Sequence, residues 1–133
     1  MPTFKLNKLI RDKLPMFYES VGQKASLRIL TKDEHAQALL DKIVEEVNEI
    51  PESNINKKKL IEEVADLQQA IDDLCKLYNI DKSEIKTAQK AKDEYKGGFS
   101  KGIYIETLEL QENDTWIDYY RADPDRFPEV KNK

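Results

Sequence analysis

The sequence has few of the residue types that many catalytic sites use. It contains one cysteine, Cys75, which excludes an internal disulfide framework and fits a small buried apolar residue of a helix. It contains one histidine, His35, which falls in the first turn of a predicted helix. No Cys–His or Ser–His–Asp arrangement is therefore available for nucleophilic catalysis. A GxxxxGK[ST] segment is also missing, so a P-loop mechanism has no support.

Long apolar runs and an excess of positive charge are also missing. No run approaches the length of a membrane span and no signal-peptide pattern occurs, so we expect no membrane partner and a cytoplasmic location. The net charge is −4, which gives no bulk attraction for nucleic acid, and none is expected as a partner. At 133 residues, without an internal repeat or a long linker, the chain is expected to form one domain with a modest core.

The periodicity of the apolar residues predicts a mainly α fold, a helical bundle. Thr31 and Glu34 have the spacing of a capping box, Pro51 is expected to end the next helix, and Gly97-Gly98 to end the last one. Residues 51–56 are typical of a turn. The helices are predicted at about residues 13–20, from 32 or 33 to 50, at 57–78 and at 81–96.

Two short segments alternate apolar and polar residues. Residues 26–30 and 103–110 therefore predict a β-hairpin or a two-stranded addition to the helices. The expected domain has three parts. These are a basic arm with a short helix and a strand (1–30), a helical core (31–96), and a β element with an aromatic C-terminal segment (97–133).

Four carboxylates repeat one design on the two central helices. Glu46 and Glu49 lie beside the apolar stripe of the first, and Glu63 and Asp66 beside that of the second, each pair at i, i+3. Glu45 points nearly opposite the stripe. The stripes are Ala36, Leu39, Leu40, Ile43, Val47 and Ile50, then Leu60, Val64, Leu67, Ile71, Leu74 and Tyr78. If the helices pack antiparallel, the four carboxylates converge.

Carboxylates that converge repel one another unless a cation lies among them. Oxygen ligands without histidine or cysteine favour Mg²⁺, with Mn²⁺ as a substitute, over zinc. The alternative is that these are ordinary solvated charges of helices, because single ExxE and ExxD spacings arise by chance in a chain with 26 acidic residues. The mirrored positions beside two apolar stripes favour a metal site.

Several segments, in order along most of the chain, resemble the MazG-like all-α nucleoside triphosphate pyrophosphohydrolases. EEVNE at 45–49 followed by EVAD at 63–66 is similar to their EExxE…ExxD pattern. The resemblance is to a subgroup like phosphoribosyl-ATP pyrophosphohydrolase. It extends to NKLIRDKLP at 7–15, KGGFSKGIYIE at 96–106 and the ending WIDYY…PDRFPE.

This resemblance implies a fold, an activity and an assembly. It implies that Glu46, Glu49, Glu63 and Asp66 bind Mg²⁺ and act in hydrolysis of a nucleoside triphosphate to the monophosphate and pyrophosphate. House-cleaning, the removal of noncanonical nucleotides, is one role that this activity would serve. It also implies a homodimer or homotetramer. One alternative is the phosphoribosyl-ATP step of histidine biosynthesis. Another is a noncatalytic helical module that binds a nucleotide or a protein.

Binding of a triphosphate requires positive charge near the metal. Lys8, Arg11 and Lys13 are one source, in an arm that either folds over the phosphates or is solvated. Lys92 and Lys96 are a second source, matching basic positions of the subgroup before GGF, and they also suit the negative end of the helix dipole.

Aromatic residues are concentrated near the C-terminus. Trp116, Tyr119 and Tyr120 are compatible with stacking on a base, and packing or a subunit interface is the commoner use of such residues. The segment is therefore expected to be packed.

Overall fold

The computed structural model describes residues 1–51 and 55–131, and within these ranges the protein is all-α. The predicted turn at 51–56 lies partly outside the described residues, at 52–54. The helices agree with the predicted ones to within about two residues, and a short helix is added near the C-terminus. They are α1 (Leu14–Ser20), α2 (Lys32–Asn48), α3 (Lys57–Leu77), α4 (Lys82–Lys96) and α5 (Ile117–Arg121).

By its internal contacts the chain divides into two compact units, Met1–Tyr95 and Lys96–Lys133. The first unit is organised around the packing of α2 on α3. The second contains α5 and a cluster of aromatic side chains.

The starts of α2 and α3 follow directly from the sequence. Thr31 forms the predicted capping box, since its hydroxyl accepts from the Glu34 N–H and the Glu34 carboxylate accepts from the Thr31 N–H. Asn56 caps α3 by accepting from the N–H groups of Lys58 and Lys59. These caps satisfy donors that would otherwise lack partners at the helix ends.

The helices α3 and α4 are each followed closely by a residue in a left-handed backbone conformation. α3 stops before Asn79, which has a φ of +56°, a left-handed conformation that asparagine tolerates better than most residues. α4 ends at Gly97, whose φ of +80° confirms the predicted glycine stop. Cys75, predicted to be buried, is half-buried in the last two turns of α3.

The core between α2 and α3 is narrow. Its buried apolar residues are Ala36, Leu39 and Ala70, and Leu39 is 2% exposed. The outer members of the predicted stripes stay exposed: Leu40 is 47% and Val64 45% accessible.

The predicted β addition is wrong. Within the described ranges no strand forms, and residues 26–30 and 103–110 have no regular structure. Arg28 bonds to Glu34 of α2, while the side chain of Ile29 is 98% exposed. Alternation alone does not make a strand, because a strand needs a partner to satisfy its backbone groups.

The helix α4 is amphipathic in sequence, but none of its fifteen residues, all of them described, is buried. Among the helices in residues 1–51 and 55–131, none combines the length and the apolar character that crossing a membrane requires.

Candidate metal centre

Two glutamates are buried where α2 and α3 pack together. Glu46, near the end of α2, is 6% exposed, and Glu63, in the second turn of α3, is 4% exposed. The last turns of α2 and the first turns of α3 lie side by side at this point. The sequence predicted these carboxylates at the margin of the apolar stripes, and the structure places them further inside. Burying a charged carboxylate is costly unless it is paired or bound to a cation.

Asp66 completes a group of three carboxylates with these glutamates. Glu46, Glu63 and Asp66 each offer an oxygen, and the three oxygens lie within 4.8 Å of one another. Opposite ligands of an Mg²⁺ ion are about 4.2 Å apart, because each Mg–O bond is about 2.1 Å long. The group therefore has nearly the spacing of a cation site, and its oxygen donors suit Mg²⁺ or Mn²⁺.

One oxygen of each buried glutamate has no partner. Oε2 of Glu46 and Oε2 of Glu63 have almost no accessible surface and accept no hydrogen bond within the described residues. Such atoms are uncommon in folded proteins, because an unsatisfied buried acceptor is costly. A cation bound among the three carboxylates would satisfy both oxygens. The residues present therefore fit a divalent metal.

Glu49, the fourth predicted carboxylate, lies at the exposed rim of this group. Its pKa is raised above the ordinary value, first by the negative charge of Glu46, then by desolvation and by the charge of Glu63. Glu49 is thus electrostatically part of the cluster, although it is outside the close group of three.

Glu45 is not one of the four predicted metal ligands, and its carboxylate pairs with two lysines. It is half-buried rather than turned fully outward, and it pairs with Lys8 at 3.8 Å and with Lys42 at 3.3 Å. Its charge makes a smaller contribution to the raised pKa of Glu49. Glu45 therefore connects the cluster to the N-terminal arm.

Two of the five predicted phosphate-binding residues lie at the cluster. Arg11 NH2 is 2.6 Å from Asp66 Oδ1, and Lys8 is paired with Glu45. The basic arm therefore lies against the carboxylates in this structure.

The other three predicted basic residues are elsewhere. Lys13 lines a surface cavity of about 260 Å³ with Met16, Phe17 and Ser20. Lys92 and Lys96 are exposed on α4, and neither forms an ion pair with any residue in the described ranges.

Sequence reasoning missed two lysines that contact the buried glutamates. Lys42 Nζ is 3.4 Å from Glu46 Oε1, and Lys59 Nζ is 2.7 Å from Glu63 Oε1. Both pairs have the i, i+4 spacing that brings side chains together on one face of a helix. A search for basic residues one turn before each candidate ligand would have found both lysines.

The aromatic residues near the C-terminus pack on one another. Tyr119 makes edge-to-face contacts with Trp116 and Tyr120, and Phe127 lies against both tyrosines. A cavity of about 330 Å³ borders Trp116 and Tyr120. The packing of this segment, expected from its aromatic content, is confirmed for these four residues.

Comparison with protein-family models, with curated proteins and with solved structures finds no match for this chain. The functional assignment therefore depends on the residues and their geometry, together with the motif resemblance.

Proposed function

We propose that this protein is a Mg²⁺-dependent nucleoside triphosphate pyrophosphohydrolase with a MazG-like helical fold. It hydrolyses a nucleoside triphosphate to the monophosphate and pyrophosphate. The observation that carries the proposal is the pair of buried, unpartnered oxygens on Glu46 and Glu63. They lie beside Asp66 in a cluster with nearly the spacing of a divalent cation site.

The buried carboxylates have a specific task in this proposal. Glu46, Glu63 and Asp66 hold the metal, and α2 and α3 fix their positions before it binds. When bound, Mg²⁺ neutralises phosphate charge and orients the triphosphate for in-line attack by water. Because α2 and α3 are packed helices, little reorganisation is needed in the reaction.

Glu49 is the residue that we assign as general base. It lies at the exposed rim of the cluster, where water reaches it, and outside the close group of three carboxylates. A general base must lie within reach of the proton that it removes. Glu49 takes the proton of the attacking water, while Glu46, Glu63 and Asp66 hold the metal.

The basic residues bind the phosphates in this proposal. Arg11 offers a planar, bidentate donor and already lies at the cluster, with Lys8 beside it. Lys13, Lys92 and Lys96 stay predicted substrate contacts that rest on the sequence alone.

A homodimer or homotetramer is part of the proposal. Leu40, Val44 and Val47 of α2 are each about half exposed, at positions that form one apolar strip of the helix. An apolar strip of this kind is typical of a helix that another subunit covers. Light scattering after gel filtration, giving the mass of the assembly, tests this, and a purely monomeric protein would contradict it. The cytoplasmic location stays a prediction.

The decisive experiment is a panel of nucleoside triphosphates, canonical and damaged, with phosphoribosyl-ATP included. Each is incubated with Mg²⁺ or with a chelator, and monophosphate and pyrophosphate are quantified. We expect equal amounts of both products, formed only with metal, and preference for a noncanonical nucleotide would indicate a house-cleaning role. Release of orthophosphate, or binding of nucleotides without turnover, would contradict the proposal and favour a noncatalytic nucleotide-binding module.

A further inference from the structure

Lys42 and Lys59 occupy equivalent places beside the two buried glutamates. Each ammonium group contacts Oε1 of a glutamate one helical turn further on, and in both glutamates Oε2 is the unpartnered atom. Together with Arg11 on Asp66, three cations face the three carboxylates. The protein thus supplies its own positive charge to the cluster, one cation to each carboxylate.

We infer that Lys42 and Lys59 are exchangeable counter-ions. A divalent cation takes over the carboxylates, and the released ammonium groups then bind the phosphates of the substrate. The inference rests on the proposed function, since it describes how that site changes from a metal-free to a substrate-binding state.

Electrostatics supports the exchange. A divalent cation and an ammonium group attract the same carboxylate and repel each other, so they compete for Glu63. The side chain of Lys59 is 54% exposed, so its ammonium group can turn into solvent on a flexible stem once the divalent cation neutralises the buried Glu63. Lys42, at 24% exposure, is held more firmly because it also contacts Glu45.

The position of Lys59 in α3 is a second, independent observation. Lys57, Lys58 and Lys59 are the first three residues of the helix, and its first turn contains no acidic residue. Positive side chains are unfavourable there, because the helix dipole also places positive charge at this end. Three lysines at a helix N-terminus do not stabilise the helix but do suit a polyanion, which their positive charges attract.

The exchange predicts effects of opposite sign on two ligands. Lys59→Met removes the competitor, so Mn²⁺ should bind about two- to fivefold more tightly, as expected for an ion pair with one exposed partner. The same change removes a phosphate contact, so inorganic tripolyphosphate in the presence of Mn²⁺ should bind about tenfold more weakly. A purely structural lysine would not produce this pair of effects.

Both affinities are measured by calorimetry on the full chain, with circular dichroism to establish folding. Lys76→Met is the matched control, because it removes the same charge from the last turn of α3 and Lys76 pairs with no residue in the described ranges. Lys59→Arg keeps the charge and should retain most of the tripolyphosphate affinity. Lys42→Met tests the equivalent position.

Unchanged or weaker Mn²⁺ binding in both Lys59→Met and Lys42→Met would overturn the inference. So would equal effects of Lys76→Met and Lys59→Met. The affinity measurements need no turnover, so they can succeed even if the protein is not a pyrophosphohydrolase. A protein that shows both opposite shifts but releases no pyrophosphate would retain the exchange and lose the enzymatic assignment.

Discussion

Arg11 and Asp66 are 55 residues apart in the sequence, and their side chains meet at 2.6 Å. This ion pair fastens the N-terminal arm to the third carboxylate of the cluster. Both side chains are substantially exposed, so the pair contributes little to the free energy of folding, less than about 1 kcal/mol. Its position matters more than its energy, because it places a guanidinium group where phosphates are expected.

Arg11→Met should therefore affect substrate binding much more than stability. We expect KM for the nucleoside triphosphate to rise about tenfold with a small change in kcat, since a charged hydrogen bond to phosphate is worth about 1.5–3 kcal/mol. Steady-state kinetics and urea unfolding measure the two effects. Arg28→Met is the control, because Arg28 pairs with Glu34. Equal KM values for both variants would contradict the role of Arg11.

Glu63→Gln should separate metal binding from folding. Outer partners of metal ligands are typically worth 10- to 100-fold in affinity, so loss of a ligand should weaken Mg²⁺ binding by at least about 100-fold. Without metal, the free energy of unfolding should stay within about 1 kcal/mol of wild type, because the amide removes a buried charge and the freed Lys59 is exposed to water.

Glu62→Gln is the matched control for that change. Glu62 is exposed on the same helix, so its loss should leave Mg²⁺ affinity nearly unchanged. Calorimetry measures affinity and urea titration in chelator measures stability. Strong Mg²⁺ binding by Glu63→Gln would exclude Glu63 as a ligand.

Glu34 should make the stability of the protein depend on pH in the acid range. Hydrogen bonds from Thr31, from its backbone first and its side chain next, lower the pKa of Glu34, and Arg28 lowers it further. A lowered pKa stabilises the fold above the ordinary value of 4.5, and this contribution is lost as the pH falls through the lowered value. Glu34→Gln should flatten the acid limb of the stability curve, measured by urea unfolding at several pH values.

The neighbouring carboxylate provides the control for this pH dependence. Asp33→Asn changes the same charge in the first turn of α2, but Asp33 is not the capping-box residue. The free energy of unfolding of Asp33→Asn should still fall as the pH is lowered in the acid range, with the slope of the wild type. In Glu34→Gln this slope should be smaller. An unchanged slope in Glu34→Gln would contradict the assignment.

Thr31→Ala should destabilise α2 at neutral pH. It removes the hydroxyl that accepts from the Glu34 N–H, which leaves a helix-end donor without its side-chain partner. Loss of such a cap costs typically about 1 kcal/mol. Thermal and urea unfolding measure the loss, and Thr31→Ser, which keeps a hydroxyl, should recover most of it.

Phe127→Ala should loosen the aromatic cluster of the second unit. Phe127 is half-buried and lies 5.0 Å from the ring of Tyr120 and 5.8 Å from that of Tyr119. Its loss should cost about 1–3 kcal/mol of local stability. Trp116 is the single tryptophan and contacts Tyr119, so its fluorescence reports this unit. Tyr104→Ala, at an 86% exposed position, should leave the fluorescence transition unchanged.

The helices were predictable because their signals are local. The capping box of Thr31 and the glycine stop at Gly97 depend on residues close in sequence, and both formed as predicted. The strands were predicted wrongly. The alternation at 103–110 does not tell whether a second segment pairs with this one, because strand pairing depends on contacts between residues distant in sequence.

The candidate site was predicted only in part for a related reason. The i, i+3 spacing identifies Glu46 and Glu63, but helix angles alone placed both at the margin of an apolar stripe. In the structure both glutamates are buried with Ala36 and Ala70, while Leu40 and Val64 are exposed. Which edge of a stripe faces the other helix depends on contacts between the two helices, which periodicity does not measure.

The single cysteine makes the candidate centre accessible to distance spectroscopy. Cys75 lies on α3 with Glu63, and an α-helix rises about 1.5 Å per residue, so the two are roughly 18 Å apart along the axis. A nitroxide attached to Cys75 would therefore sense paramagnetic Mn²⁺ bound at the carboxylates through dipolar broadening of its spectrum. No cysteine has to be removed or added. The native cysteine thus allows the distance from the end of α3 to the proposed metal to be measured.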